Sequence, residues 1–559
     1  MHTLRGIPAS PGAVDAALYL YEPDRYEIPA SWPDLPEKAV AELAAALDEV
    51  AGSFSAAATS AAGEVADILR AQAAIAGDPA LRQSAEPDIR AGVHPAKALL
   101  DAGEDFASQL ERSGNAYLSA RAPDVRHICD VAARRLVGAP TRQPPQPSQP
   151  CVLIATDLMP VDTAGLTPEL VRGLVTARGS RMSHTSVIAR SLGIPAVVGV
   201  LGLVDAAAGA THVAVDGGTG EVILDPDPAA LERIARARAE QRLRRERVRA
   251  AAGTGATLTT DGVRVEVAAN VSGLEELAKA LDQGAEAVGL LRTELLYRGR
   301  HEPPTEEEQL GLLRGMRELL GDRRLLVRTF DIGADKTVPF LPVRPERNPE
   351  LGLRGLRLAR SHPELLDTQL WAIASVAETG PTAVMAPMVA NVDDARWFRS
   401  RVEAAGMPAS VEVGVMVEVP ALALMADQLA KYVDFVSIGT NDLGQYLFAA
   451  DRRDEAMADL LDPFAPALLR AVAAVSLGMS GRGWVGVCGE AASDPAWALL
   501  AVGLGVTELS MQAIAVPEVR AALRGVSADA CRAAAMRALN AAGPVEARAI
   551  GARLVKELS

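Results

Sequence analysis

From Gly255 onward the chain alternates short apolar, β-rich runs with stretches whose apolar residues recur every three or four positions, the pattern of parallel β/α units. Eight such runs follow one another: VRVEVAAN, AVGLLRT, LLVRTFD, AVMAPMV, VEVGVMVEV, DFVSIGTND, WVGVCGE and TELSMQ. Eight strand–helix repeats over a segment of this length predict a (β/α)8 barrel rather than a doubly wound sheet. In a barrel the carboxyl ends of all the strands open onto one face, where chemistry is placed.

The amino-terminal pattern is of another kind. Residues 1–20 alternate like a strand around a Ser10-Pro11-Gly12 turn, and prolines from Pro29 to Pro36 mark a boundary. Between Glu37 and Leu136 the Ala/Leu/Glu/Arg text has helical spacing throughout and predicts a helical bundle or long helical hairpins. The proline-rich APTRQPPQPSQP at 139–150 reads as an extended connector. Strand-like runs then resume (CVLIAT, RGLVTA, IPAVVG, HVAVDGG) and end in a hairpin around Gly217-Gly218. The helical segment is therefore expected to be inserted in an α/β domain. Residues 228–250 carry eight arginines with interspersed glutamates and predict one solvated linker helix. The expected division is 1–32 with 141–227 as an α/β domain, 33–140 helical, 228–254 linker and 255–559 barrel.

Composition narrows the functional classes. A chain of 559 residues suits about three to four domains. A net charge of −15 disfavours nucleic acid, which is held mainly by Lys and Arg, and suits a basic protein partner. The four cysteines, Cys129, Cys151, Cys488 and Cys531, form neither a zinc pattern nor a disulfide framework, so a reducing cytoplasm is expected. The charged amino terminus and the lack of any eighteen-residue apolar run predict neither signal peptide nor membrane span. With no GxxxxGK[ST] loop and no GxGxxG after a strand, the phosphoryl donor of any phosphotransfer should be other than ATP.

Reactive side chains gather where barrel strands are expected to end. Arg292, Arg328, Glu418, Asn441 with Asp442, and Cys488 close five of the runs, and Lys336, Arg354 and Arg452 are placed in loops just after strands. Glu418 and Asp442 offer the hard oxygen ligands that Mg2+ or Mn2+ takes, with substrate and water completing the shell. Arg292, Arg328 and Lys336 suit a clamp on a small polyanion undergoing phosphoryl transfer. Cys488, in Gly-Val-Cys-Gly-Glu, is placed to exchange a proton with a carbon beside a carbonyl. His184 lies where a glycine-containing loop enters a helix beginning near Ser183. There the free amides and the dipole favour a phosphoryl group and a neutral, nucleophilic imidazole.

Taken together, SPG, SHTSVIARSLGIPAVVG, GLLRTELLY, RTFDIGADK, NPELGLRGLR, VMVEVP, SIGTNDLGQYLFAADR and GVCGE resemble bacterial Enzyme I, the phosphoenolpyruvate-protein phosphotransferases, over essentially the whole chain. The resemblance implies that His184 accepts the phosphoryl group of phosphoenolpyruvate and passes it to a histidine of a phosphocarrier protein docked on the helical segment. It implies that Arg292, Arg328, Arg452 and Asn441 hold the substrate, with Lys336 and Arg354 in the same pocket. Glu418 and Asp442 would bind Mg2+, Cys488 would protonate the enolate as pyruvate forms, and the barrel would form a homodimer. One departure lies before the histidine: Ala177-Arg178-Gly179-Ser180-Arg181-Met182 lacks the acidic residue, second glycine and threonine usual in the family. That change bears on the rate or the carrier, and leaves a weakened regulatory paralogue as the alternative. A phosphoenolpyruvate synthase or dikinase would need an ATP-binding domain for which this chain has no room.

Overall fold

The computed structural model describes residues 2–556 apart from 23–25, 31, 33–34, 61–68, 70–71, 113–121, 141–143, 159, 164–165, 180–182, 298–299, 334–335, 337, 342, 345 and 453–454. The chain divides into two compact units, Met1–Glu246 and Arg247–Ser559.

In the first unit, strands β1 (His2–Arg5), β2 (Ile7–Ser10), β3 (Ala13–Tyr21), β4 (Cys151–Ala155), β5 (Val171–Thr176), β6 (Ala196–Val198), β7 (His212–Asp216) and β8 (Glu221–Leu224) form one mixed sheet. Its order is β1-β8-β7-β3-β4-β5-β6-β2. Strands β3 and β4 are parallel neighbours, with Ala17 opposite Cys151, although 129 residues separate Tyr21 from Cys151 in the chain. That crossover contains the helices α1 (Pro36–Ser60), α2 (Pro79–Arg90), α3 (Pro95–Arg112) and α4 (Ala122–Leu136). Their apolar faces make a core of their own, with Leu43, Val50, Leu99 and Ile128 buried. The helical segment is thus an insertion, as its change of periodicity predicts. Helix α5 (His184–Leu192) runs between β5 and β6, and α6 (Pro228–Ala252) follows β8.

The second unit is a closed barrel of eight parallel strands: β9 (Glu266–Val271), β10 (Val288–Arg292), β11 (Leu325–Arg328), β12 (Thr382–Ala386), β13 (Glu412–Val417), β14 (Phe435–Ile438), β15 (Trp484–Val487) and β16 (Glu508–Met511). All eight predicted strands are found, and β16 closes on β9 with Glu508 opposite Glu266. By length and composition Asp459–Met479 is apolar enough to cross a bilayer. It consists of a 3-10 segment and helix Pro466–Met479, whose Leu468, Leu469, Val472, Val475 and Met479 are buried in the barrel core.

Charge, rather than hydrocarbon alone, stops the barrel at its amino-terminal end. Arg324, just before β11, pairs with Glu266 and Glu508 at the starts of β9 and β16. Its guanidinium lies 4.1 Å over the Trp484 ring, which stacks at 4.2 Å on Phe435 and donates its indole N–H to Glu412 at 3.0 Å. Glu508 is buried, so removing its partner strands a charge in a low-dielectric interior. Arg324→Ala is expected to destabilise the barrel by about 3 kcal/mol or more in urea unfolding; a change indistinguishable from zero would show the plug to be solvated.

Candidate active site

At the opposite end, strand ends and the loops after them deliver the predicted residues to one cluster. Arg328 closes β11 and pairs in register with Arg292, the last residue of β10. Glu418 and Cys488 directly follow β13 and β15. Two placements differ from expectation. Asn441 and Asp442 do not end a strand: β14 stops at Ile438, and both sit in the first turn of helix α7 (Thr440–Phe448). Arg452 lies in the turn after that helix rather than in a loop after a strand. Strand β14 ends at Ile438, and the following TNDLGQ text is satisfied as helix.

The centre of the cluster is Asp331, a residue that motif reading passed over. It is 0% exposed and receives the fork of Arg354, itself 0% exposed, through Nε to Oδ1 at 2.9 Å and Nη2 to Oδ2 at 3.0 Å. Lys336 Nζ pairs with the same carboxylate, and Arg328 Nη1 lies 3.5 Å away. Arg354 also donates from Nη1 to Asp442 at 3.0 Å and Glu350 at 2.8 Å, while Arg328 pairs with the buried Glu294. Arg452 reaches Asp442 at 3.6 Å. Burial alone would raise Asp331, but Lys336, Arg328 and Arg354 outweigh it and hold the carboxyl well below the usual range. Asp442 is likewise opposed by burial and held low by Arg354 and Arg452. Four cations thereby gather around Asp331 and Asp442, with Arg328 and Arg354 buried, an arrangement that suits a small polyanion. Asn441 accepts the Glu490 amide at 3.2 Å and so ties α7 to the turn after Cys488.

Glu418 behaves differently. Its Oε1 accepts the amide of Met388, a non-glycine residue at φ +57°, at 2.6 Å. Its Oε2 is buried without a hydrogen-bond partner, and a Cβ built on Gly439 would stand 3.0 Å from that oxygen. An anionic oxygen left open beside a glycine, with a second carboxylate at Asp442, fits a hard divalent cation. Among the described residues no group of three acidic, His or Cys side chains is arranged to hold a metal by itself, so substrate and water oxygens would complete the shell.

Without a cation this arrangement opposes folding at neutral pH. Burial first, then the charges of Asp442 and Asp331, push the Glu418 carboxyl from its ordinary 4.5 up to about 7. Because the folded value lies above the unfolded one, the native barrel keeps a proton that the unfolded chain has released. Metal-free stability should therefore fall as pH rises through that window, by about 3 kcal/mol in all. Urea unfolding of metal-free protein at about pH 5 and pH 8 checks this, and Glu418→Gln should flatten the difference; a wild-type slope of the opposite sign contradicts it.

Cys488 is buried, and burial pushes its thiol up to about 11 against the pull of Arg328 and Arg292. At neutral pH it carries its proton, the form a general acid needs.

His184 is the first residue of α5, after Ser183 in extended backbone. The Ser183 hydroxyl caps none of the first-turn amides; it bonds the Ser186 hydroxyl at 3.1 Å instead. Gly179 takes φ +114°, and a Cβ there would come within 3.1 Å of the Ser183 hydroxyl, so this glycine serves the close approach of loop to helix. Of the altered loop, Ser180, Arg181 and Met182 lie outside the described residues, as does the His184 side chain.

Comparisons with known proteins show the family. Three family models of phosphoenolpyruvate-utilising enzymes match the chain: the PEP-binding domain over residues 246–528, the mobile domain over 147–220 and the N-terminal domain over 5–121. The phosphoenolpyruvate-protein phosphotransferase of Streptomyces coelicolor is 42% identical over 555 residues, covering 98% of both chains. That of Geobacillus stearothermophilus is 37% identical over 543 residues and 94% of both. A solution structure of an Enzyme I protein matches 43% of this chain and 99% of its own at 31% identity and a TM-score of 0.34. The three family models make the chain a phosphoenolpyruvate-utilising enzyme. Within that class the chain belongs to the phosphoenolpyruvate-protein phosphotransferase family, a family of transferases.

Proposed function

We propose that the chain transfers the phosphoryl group of phosphoenolpyruvate to His184 and then to a histidine of a phosphocarrier protein, releasing pyruvate. The observation that carries this reading is the cluster of cations around Asp331 beside an open Glu418 oxygen. It is a site built for a small, highly charged substrate together with a divalent cation. Arg292, Arg328 and Arg452 hold the phosphate and carboxylate of the substrate, and Asn441 joins them. Lys336 and Arg354, already anchored on Asp331, spread positive charge where the enolate oxygen becomes anionic. Glu418 and Asp442 hold Mg2+, which when bound neutralises substrate oxygens. Cys488 supplies the proton that turns the enolate into pyruvate.

His184 belongs to the first unit and the barrel to the second, so transfer needs the two to meet and then part for the carrier to be served. The amides opening α5 stabilise the phosphohistidine, and the helical insertion receives the carrier. We assign the chain to the cytoplasm and expect it to pair with a second copy through the barrel.

The test is a chase. Protein loaded with labelled phosphoenolpyruvate and Mg2+ is mixed with a histidine-containing phosphocarrier protein, and the label is expected to move to the carrier. Label retained against every carrier would identify a specialised paralogue instead. Loading that requires ATP would point to the dikinase class and sink the proposal.

A further inference from the structure

The backbone around Cys488 is held in an asymmetric way. On one side its N–H donates to the Ile438 carbonyl of β14 at 3.1 Å, continuing the barrel ladder. On the other side the ladder has stopped, because β15 pairs with β16 only through Gly486–Glu508 and Val487–Leu509. The Cys488 carbonyl is taken up instead by a side chain: Asn270 Nδ2 donates to it at 3.0 Å. Asn270 lies in β9, on the far side of β16, so its carboxamide spans a strand to reach that carbonyl.

Asn270 is itself fixed. The Ser510 hydroxyl of β16, fully buried, donates to Asn270 Oδ1 at 2.7 Å. Space for that hydroxyl is kept by Gly289 of β10, where a Cβ would come within 2.5 Å of Ser510 Oγ. The other flank of the cysteine is equally confined, since a Cβ on Gly489 would meet Thr440 Oγ1 at 1.7 Å. Two side-chain hydrogen bonds and two glycines thus confine the main chain of Cys488 on this side, while the thiol itself lies 3.8 Å from the Ile438 carbonyl on the other.

A merely structural bond would serve as well at any residue of the turn. This one ends on the residue whose proton must reach carbon, and a reluctant, buried thiol gives up its proton only when aligned with its acceptor. We propose that Asn270, held by Ser510, is a positioning residue for protonation of the enolate, an inference that rests on the reading of Cys488 as the acid. After the P–O bond breaks toward His184, the C2 oxygen keeps that electron pair as an enolate. Ketonisation forms C2=O, the C2=C3 electron pair takes the proton from Cys488 Sγ, and the thiolate that remains is reprotonated by water. With Asn270 absent the thiol drifts from C3 and product escapes as enolpyruvate.

The experiment follows two products of the full chain with phosphoenolpyruvate and Mg2+: phosphohistidine by labelling, and enolpyruvate against pyruvate by rapid NMR of the released product. Asn270→Ala is expected to lower the ratio of pyruvate to phosphohistidine at early times by about ten-fold or more, with enolpyruvate making up the difference. Ser510→Ala, a smaller change, should move the ratio the same way. If both variants lower phosphohistidine and pyruvate in parallel, or leave the ratio at the wild-type value, the positioning role is wrong. Failure of wild-type protein to form phosphohistidine at all would instead overturn the proposed function.

Discussion

His184→Ala is expected to abolish both acid-labile labelling by phosphoenolpyruvate and stoichiometric release of pyruvate, while phosphoenolpyruvate and Mg2+ still bind. The reason lies in the division of labour along the chain. His184 opens a helix of the first unit, whereas Arg328, Lys336, Arg354, Glu418 and Asp442 all belong to the barrel of the second. Loss of the imidazole removes the acceptor and leaves the cation lattice untouched. Binding read by calorimetry and labelling read after an alkaline quench should therefore separate completely. Residual labelling of the variant would mean that another nucleophile takes the phosphoryl group, and loss of binding would mean that the first unit shapes the substrate site.

The second large effect is expected at Asp331. Arg354 and Lys336 both bond this carboxylate, Arg328 is in ionic contact with it, and the group is fully buried. Asp331→Asn keeps the shape but removes the counter-charge and turns an amide toward cations. Breaking a buried ionic network from one side costs about 3–5 kcal/mol. Misplacing the clamp by an ångström costs about 10²-fold in rate. Because the folded carboxyl lies below its ordinary value, its contribution is present at neutral pH and lost as pH falls toward the depressed value. Urea unfolding and rapid-quench phosphorylation measure the two losses. A variant as stable and as fast as wild type would show Asp331 to be a bystander.

Legibility differed between parts of the molecule for physical reasons. The barrel was readable because each buried parallel strand is a short apolar run bounded by helical text, and nothing competes with that period. The insertion was readable because strand and helix periodicities change abruptly at Glu37 and again after Leu136. Asn441 and Asp442 were misplaced because an apolar run does not mark where its ladder ends, and the polar text from Thr440 onward folds as helix. Asp331 was missed although it sits inside RTFDIGADK, three residues after one cation and five before another. That spacing is itself a signal, but only folding shows that Arg354, 23 residues later, closes on the same carboxylate. The Asn270–Ser510–Cys488 contact was invisible because its partners lie 218 and 240 residues apart.

The most direct measurement locates the phosphoryl group itself. Wild-type protein is incubated with labelled phosphoenolpyruvate and Mg2+ in the absence of ATP, quenched in alkali, digested and mapped. One acid-labile, alkali-stable phosphoryl group per chain is expected, matched by one pyruvate, on the peptide from Met182 to Arg190 that contains His184. Absence of label, label on any other residue, or label appearing only when ATP is added would contradict it.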